Sequence, residues 1–373
     1  MKNKSLMLFS VLAVLLLLAS GCSKAPTGGA ISGKETVKVG VIAPLTGEVA
    51  TIGVSAVKAI ELAAEEFNAR SKTTQIKLVI EDAKCEGALS ATAANKLVNV
   101  DKVEVILGGL CSAETIAAAP VAETSRVVLF SGCSTAPSIT GLGDFVFRDA
   151  PSDAYQGVFT ANYMYNELGK RKAAIIYSNT DWGFGITKSF SKEFERLGGQ
   201  VVAVESIEQE SKDVRSQLLK ASSKNPDVIY TPMYSQNQGI TAKQAKELGI
   251  KAMIMGADAA KDPNTVEVGG DAVEGFLFVA LKAVNAPGFE KKLKEQKGVN
   301  IELCTPTAYD GANIAFNAIE SVGNSAEKVR DYLYNVRNYN GVSGNINLDS
   351  NGDRIEAEYS VFKVVNGEFV VVN

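Results

Sequence analysis

Two α/β lobes, each a parallel sheet flanked by helices, are predicted by three features of the sequence. Short apolar runs alternate with longer segments whose apolar residues recur at helical spacing, as at 37–43 and then 52–70. Such strand–helix alternation is typical of a parallel sheet with helices on both faces. The alternation restarts after residue 148, and 373 residues are more than one compact core usually spans.

The first series of elements runs from residue 37 to residue 148. Its predicted strands lie at 37–43, 76–82, 103–107, from 127 onward, and at 145–148. Its predicted helices lie at 52–70, at 88–100 and from Ser112 onward. This series predicts the core of a first lobe.

The second series repeats the pattern and is followed by further elements. Helices are predicted at 155–168, 183–197, 212–222 and 236–248, with strands at 172–178, 200–205, 227–231, 252–255 and 275–281. Helices at 287–297, 308–322 and 326–337 and a β-ribbon at 356–365 and 368–372 come last.

These late elements must return to lobes already begun. We therefore expect three chain crossings, near 151–154, 281–284 and 337–340. Lobe 1 is expected to comprise 36–153 plus 282–338, and lobe 2 to comprise 154–281 plus 339–373. Several crossings form a hinge, and ligands favour the interface between two lobes.

The N-terminus has the pattern of an export signal. A basic start precedes an apolar stretch at 6–18, which is too short for a comfortable membrane span. Small residues before Cys22 resemble a lipoprotein cleavage site, so 1–21 is expected to be a signal peptide and Cys22 to carry lipid. Ordinary signal cleavage is the alternative. Residues 22–35 then form a tether, and the protein is exported and anchored to the outer face of the cytoplasmic membrane, or is periplasmic.

Composition excludes several classes of protein. The net charge of −4 has the wrong sign for a nucleic-acid binder. With no histidine and no CxxC spacing, a zinc site or a thiol oxidoreductase is not expected, and no metal or cofactor is predicted. An even number of cysteines beyond Cys22 suggests disulfides. Cys85 and Cys111 both follow strand ends, which makes a bridge between them plausible, and Cys133 with Cys304 then pair only by elimination.

Two consecutive strand ends form a candidate anion cradle. The strand at 103–107 breaks at two glycines, and the Ala-rich helix that follows has Ser112 where an N-cap belongs. The next strand, from 127, ends in small residues that include Thr135. Ligands collect at the carboxyl ends of parallel strands, and helix N-termini favour carboxylates. The alternative is that Ser112 only caps its own helix.

Seven short motifs occur in the order found in one family. They are VGVIAPLTG (39–47), EDAKC (81–85), GGLCS (108–112), STAP (134–137), DWGFG (181–185), PMYSQ (232–236) and MGAD (255–258). Over 37–372 the chain resembles type I periplasmic binding proteins of the leucine/isoleucine/valine-binding family, the substrate-binding lipoproteins of ABC importers. The resemblance implies two Rossmann-like lobes joined by a three-crossing hinge.

The resemblance also implies roles for six residues. The Ser112 hydroxyl, the Thr135 hydroxyl and amide, and the Cys133 amide hold the ligand carboxylate. Asp258 takes the ammonium group. Trp182, expected in a flexible loop, and Tyr234 close over the ligand. The resemblance further implies a disulfide between Cys85 and Cys111, because members of the family have one at these positions.

Two residues depart from the family pattern. Asp258 stands where the family usually has Glu, and Ile52 stands where some relatives have an aromatic wall. Both departures bear on which ligand binds.

The expected function is capture of an apolar amino acid, branched-chain above all, for delivery to an ABC permease by a monomer without enzymatic activity. Related proteins that bind amides, urea or aromatic acids, or that act as sensory subunits, remain the alternatives. An enzyme on this scaffold would need a nucleophile with a base, and neither that spacing nor a metal cluster occurs.

Overall fold

A computed structural model describes residues 33–282, 286–355 and 357–372. The predicted α/β fold of two lobes is confirmed: two mixed sheets, flanked by helices, organise these residues. The predicted signal peptide, the tether up to residue 32 and Cys22 lie outside the described residues. Within the described part, no helix combines the length and the apolar character needed to cross a membrane.

The first sheet has the strand order β11-β12-β13-β5-β4-β3-β1-β2 in the described chain. Strands β1 to β5 are all parallel to their neighbours, and β5 also pairs in parallel with β13. The central strands β3 and β4 are wholly buried, as expected of strands covered by helices on both faces. The strands of this sheet are β1 (Glu35–Ala43), β2 (Thr74–Asp82), β3 (Val105–Leu107), β4 (Val128–Ser131), β5 (Val146–Pro151), β11 (Tyr339–Gly341), β12 (Gly344–Leu348) and β13 (Asp353–Ile355).

The second sheet has the order β15-β14-β10-β9-β8-β6-β7 among the same residues. Its strands β6 to β10 are parallel, and the antiparallel ribbon β14–β15 is added at one edge. Its strands are β6 (Lys172–Ser178), β7 (Gln200–Ile207), β8 (Val228–Thr231), β9 (Met253–Gly256), β10 (Leu277–Leu281), β14 (Tyr359–Val365) and β15 (Glu368–Val372).

Helices pack on both sheets. Three of them, α2, α4 and α9, continue into a turn of π-helix. The helices are α1 (Ala50–Arg70), α2 (Gly87–Lys96), α3 (Ser112–Ser125), α4 (Asp153–Asn162), α5 (Asp181–Arg196), α6 (Arg215–Ser222), α7 (Ser235–Glu247), α8 (Pro263–Gly269), α9 (Pro287–Lys292), α10 (Thr305–Val322) and α11 (Ala326–Leu333). Helices α1 and α10 contribute to the apolar core over β1, β3 and β4. Helix α5 contributes to the core over β6 and β8.

The expected third crossing, near 337–340, is wrong. Strands β11, β12 and β13 extend the first sheet, so residues 339–355 belong with the first lobe and the chain crosses only after Ile355. An ion pair holds β13 in place: Arg148, on β5 and fully buried, donates to both carboxylate oxygens of Asp353 at 2.6 and 2.9 Å. Strands this short carry too little pattern to show which sheet they join.

A second correction concerns the motif at 181–185. It is the first turn of α5, not a flexible loop, because the hydroxyl of Thr180 accepts a 3.1 Å hydrogen bond from the Gly183 N–H and caps the helix. Trp182 is therefore held by helical backbone. An N-cap Thr with Asp181 in the first turn is the local signal for this earlier start.

Candidate functional site

All six residues expected to bind a ligand line one cavity. Ser112, Cys133 and Thr135 come from the carboxyl ends of β3 and β4 in the first sheet. Trp182, Tyr234 and Asp258 follow β6, β8 and β9 in the second sheet. The space between these residues measures about 460 Å³ with the open mouth of the cavity included.

Ser112 is the first residue of α3 and not its N-cap. The N-cap is Cys111, whose backbone is extended. The hydroxyl oxygen of buried Ser112 accepts a 3.1 Å hydrogen bond from the Ala136 N–H, which ties the loop after β4 to the start of α3. The expectation that Ser112 caps a helix is therefore wrong. The oxygen joins the two cradle loops, and the hydroxyl hydrogen can serve a further acceptor.

Glu114 organises the loop before α3, although no motif singled it out. Its carboxylate accepts the N–H groups of Cys85 at 2.9 Å, Leu110 at 2.9 Å and Cys111 at 3.0 Å. Burial raises its pKa to about 7, against the opposing effect of these three bonds. The signal for this role is its position three residues after the true N-cap, as in a capping box.

Thr135 differs from the role that the resemblance implies. Its hydroxyl donates to Asp153 Oδ2 at 2.7 Å, so its oxygen is left to accept and not to donate. The Cys133 N–H donates to Ser131 Oγ at 3.3 Å. Two of the four donors expected for a carboxylate are thus already engaged, and the Ser112 hydroxyl and the Thr135 amide remain.

A chain of polar contacts joins Asp258 to Asp153. The Asp258 N–H donates to Gln156 Oε1 at 3.1 Å, and Gln156 Nε2 donates to Asp153 Oδ1 at 2.8 Å. Burial raises the pKa of both carboxyl groups, and the charge of Asp258 raises that of Asp153 further. Asp258 Oδ1 is buried and has no hydrogen-bond partner among the described residues. A buried carboxylate oxygen left in this state favours a cationic ligand group.

Asp153 and Gln156 were not singled out from the sequence. They follow β5 at the first crossing, where α4 begins with Asp153. The available signal is positional only, since Asp153 follows a third strand end next to β4 in the same sheet.

Trp182 and Tyr234 form an aromatic pair beside the cavity. Their ring centroids lie 4.9 Å apart with an interplanar angle of 31°, and both side chains are buried. The Tyr234 hydroxyl lies 3.6 Å from Cys85 Sγ of the first lobe. The pair from the second lobe therefore reaches across to the first.

Both expected disulfides are formed. Cys85 is bonded to Cys111 and Cys133 to Cys304, each with a Cα–Cα distance of 5.3 Å. Cys111, Cys133 and Cys304 all line the cavity. The two bonds therefore fix two walls of the same site.

The rest of the cavity is apolar. Among the described residues, Asp258 is the only charged side chain in its lining, and no lysine or arginine contributes to it. Most of these apolar side chains belong to the loop after β1, the first turn of α1, the loop before α3 and the segment before α10, and one follows β9 in the second sheet. They are Pro44, Val49, Ile52, Leu110, Leu303 and Ala259.

The two lobes also touch outside the cavity. Lys212, in the loop after β7, forms an ion pair with Glu48, which precedes α1. Asn264 Nδ2 donates to Thr51 Oγ1 at 3.3 Å. The described conformation therefore has contacts from the start of α1 and the loop before it to two segments of the second lobe. The described residues contain no cluster of acidic and cysteine side chains able to hold a metal ion.

Known proteins resemble the chain over most of its length. The model of the periplasmic binding protein family matches residues 36–368. A Leu/Ile/Val-binding protein homolog of Brucella melitensis biotype 1 is 26% identical over 364 residues, which are 95% of this chain and 99% of that protein.

Solved structures agree. The structure of the leucine-binding protein LivK of Thermotoga maritima superimposes on this chain with a TM-score of 0.85 at 33% sequence identity. The match covers 90% of this chain and 98% of the LivK chain. The branched-chain amino acid transporter substrate binding protein LivJ of Streptococcus pneumoniae, solved in complex with isoleucine, has a TM-score of 0.83 at 26% sequence identity. The match covers 91% of this chain and 99% of the LivJ chain. The chain belongs to the periplasmic binding protein family.

Proposed function

We propose that this protein is the substrate-binding component of an ABC importer and that it captures an apolar α-amino acid between its lobes. The observation that carries the proposal is the arrangement of the cavity. Neutral donors lie on the first lobe, the remaining walls are apolar, and the second lobe contributes the buried carboxylate of Asp258. One oxygen of that carboxylate has no partner among the described residues. The names of the relatives, which specify leucine, isoleucine and valine, support the same class of ligand.

The ligand carboxylate is assigned to the first lobe. The Ser112 hydroxyl and the amide of Thr135 are the donors left there. The first N–H groups of a helix have no carbonyl partner within the helix. Glu114 accepts the N–H groups of Leu110 and Cys111, which precede the first residue of α3, so these two are not free for a ligand. The start of α3 at Ser112 adds the favourable end of the helix dipole.

The ligand ammonium is assigned to Asp258 and Thr135. Asp258 Oδ1 has no hydrogen-bond partner in the part of the chain that the structure describes. The Thr135 oxygen can only accept, because its hydrogen is donated to Asp153. Asp153 thus acts through Thr135, as a positioning residue. An ammonium group supplies the three donors that such a set of acceptors requires.

The apolar side chain is assigned to the aliphatic wall. Val49 immediately precedes α1, and Ile52 lies in the first turn of that helix. Leu110 lies beside the Cys85–Cys111 disulfide. Trp182 and Tyr234 cover the ligand from the second lobe. Closure is driven by contacts that only the closed form makes with both ends of the ligand.

The rival ligands fit this electrostatic pattern less well. An aromatic acid carries only a negative charge, and it would meet Asp258 with no lysine or arginine in the lining to offset the repulsion. An amide or urea is neutral and would leave the carboxylate of Asp258 buried without a counter-charge. A zwitterionic amino acid satisfies both ends.

The remaining parts of the proposal concern location and partners. We infer export with residues 1–21 as signal peptide, lipidation of Cys22, delivery of the ligand to a membrane permease, action as a monomer and binding without turnover. The export signal and the similarity to periplasmic binding proteins support this. Mass spectrometry of the protein purified from membranes tests the anchor: an intact unlipidated N-terminus at Cys22 contradicts it.

A thermal-shift screen tests the ligand class. The twenty amino acids, simple amides, urea and benzoate are each added at a large excess. Ligand at a hundredfold excess over its dissociation constant adds about 2.7 kcal/mol of stability. We expect shifts with leucine, isoleucine or valine and none with benzoate or urea. A shift with benzoate alone would contradict the proposal, and product formation from amides would contradict binding without turnover.

A further inference from the structure

A second cavity lies beside the first, and one residue borders both. Leu303 lines the ligand cavity and also a second cavity, which measures about 850 Å³ with its open mouth included. It is the only residue common to the two linings among the described residues. Beyond it, the second cavity is bordered by Ile301, Phe289 and Thr307, among others. Its charged groups are Lys261, Lys282, Glu290 and Glu302.

Leu303 also connects the apolar cores of the two lobes. It is partly buried, and it packs both against the core under the first sheet and against the core around Phe278 in the second. Leu303 therefore lies where the cores of the two lobes meet.

The segment that carries Leu303 is fixed to the ligand cradle. Its neighbour Cys304 is bonded to Cys133, which lies two residues before Thr135. The Thr307 hydroxyl donates to the Gly132 carbonyl in the same loop. The wall formed by Leu303 therefore cannot retreat from the ligand without moving the residues that hold its charged groups.

We propose that Leu303 is the residue that sets the length of the ligand side chain, by separating the ligand cavity from the second cavity. The inference rests on the proposed function. The substrate class is narrowed to α-amino acids with a compact, branched aliphatic side chain. A straight chain of six carbons that extends toward the second cavity has to pass the position of Leu303, and the wall excludes it.

Removing the wall tests the inference. Calorimetry compares leucine with 2-aminooctanoic acid for the wild-type protein and for Leu303→Ala. Because one methylene in an apolar pocket changes affinity by about tenfold or more, we expect the preference for leucine over the longer ligand to fall at least about tenfold. The control is Ile301→Ala, which removes a similar side chain from the second cavity only and should leave the preference unchanged.

The outcomes separate the two proposals. If the wild-type protein binds no apolar amino acid, the proposed function fails and the inference fails with it. If the wild-type protein binds leucine but Leu303→Ala keeps the same preference, or Ile301→Ala lowers it equally, only the inference is overturned. Should Leu303→Ala fail to fold, Leu303→Val is measured instead, and a preference for leucine that does not fall in that folded variant overturns the inference.

Discussion

The Thr135 hydroxyl donates to Asp153 across 2.7 Å, although each residue lies at the end of a different strand. This bond decides what Thr135 can do for a ligand. Its oxygen accepts, so it complements an ammonium group and not a carboxylate. The donor set for the carboxylate then falls to the Ser112 hydroxyl and to backbone N–H groups. The two ends of the cavity are thereby given opposite hydrogen-bonding character.

Asp258→Asn tests the ammonium contact. The amide keeps the shape of the side chain but removes the charge that faces the ligand. Breaking a buried charge pair by removing one partner costs about 3–5 kcal/mol, so we expect affinity for leucine to fall by about a hundredfold or more by calorimetry. Asp213→Asn, an exposed carboxylate in the same lobe, is the control and should bind normally. Retained affinity in Asp258→Asn would remove this residue from the site.

Ser112→Ala tests the carboxylate contact. The variant loses a hydroxyl that we assign to the ligand and that also accepts from the Ala136 N–H. Hydrogen bonds to charged groups contribute about 1.5–3 kcal/mol, so affinity is expected to fall about tenfold or more. Ser191→Ala serves as the matched control, because its hydroxyl donates only to the Thr187 carbonyl within α5 at 2.8 Å. Equal affinities for the two variants would contradict the assignment.

The raised pKa values of Asp153 and Asp258 predict a pH dependence of the ligand-free protein. An aspartate whose folded-state pKa lies above the unfolded value of about 4 binds more protons when folded. The stability that this pair contributes is therefore present at acid pH and lost as the pH rises through the raised folded-state values. Chemical denaturation of wild type and of Asp258→Asn measures this: the slope with pH above 4 should be shallower in the variant.

Ligand binding should shift the pKa of Asp258 in the opposite direction, downward. An ammonium group favours the ionised form of Asp258, so binding lowers the pKa of that carboxyl group and releases protons. Calorimetry in buffers of different ionisation enthalpy should detect proton release near neutral pH in the wild type and less in Asp258→Asn. Proton uptake in the wild type would contradict the assignment of the ammonium.

The two disulfides predict different losses of stability. Removing a native disulfide typically costs about 2–5 kcal/mol, and the loss grows with the length of chain that the bond closes. The bond from Cys133 to Cys304 spans 171 residues and that from Cys85 to Cys111 spans 26. Denaturant unfolding of the Cys133→Ala/Cys304→Ala and Cys85→Ala/Cys111→Ala variants should show the larger loss for the first pair. The reverse order would mean that strain in the native state outweighs chain entropy.

The order of elements could be predicted because it depends on local pattern. Strong apolar runs and helical spacing located most of the strands and helices, though not β11, β12, β13 or α8. The strand-end argument brought Ser112 and Thr135 to one cavity. The prediction that was wrong concerns contacts between residues that are distant in the sequence. The sheet that β11, β12 and β13 join is decided by contacts such as Arg148 with Asp353, about which the local sequence says nothing.

Within the site, too, residue types could be predicted from the sequence, whereas the contacts between the residues could not. Residue types indicated which side chains could bind a zwitterion, but not how they are already bonded to each other. The donation from Thr135 to Asp153 and the three amides held by Glu114 are properties of the folded chain. Asp153 and Glu114 belong to no motif that indicates these bonds. The only sequence signals for them are positional: a capping-box position for Glu114 and a strand end for Asp153.

The most direct test of two-ended recognition is calorimetry with four matched ligands: leucine, leucinamide, 4-methylpentanoic acid and 3-methylbutylamine. They share a branched aliphatic chain and differ in whether the carboxylate, the ammonium or both are present. We predict that leucine binds and that loss of either charged group weakens binding by at least about tenfold, since each charged hydrogen bond contributes about 1.5–3 kcal/mol. Equal or tighter binding of 4-methylpentanoic acid would contradict the account, because it would mean that Asp258 does not face the ligand.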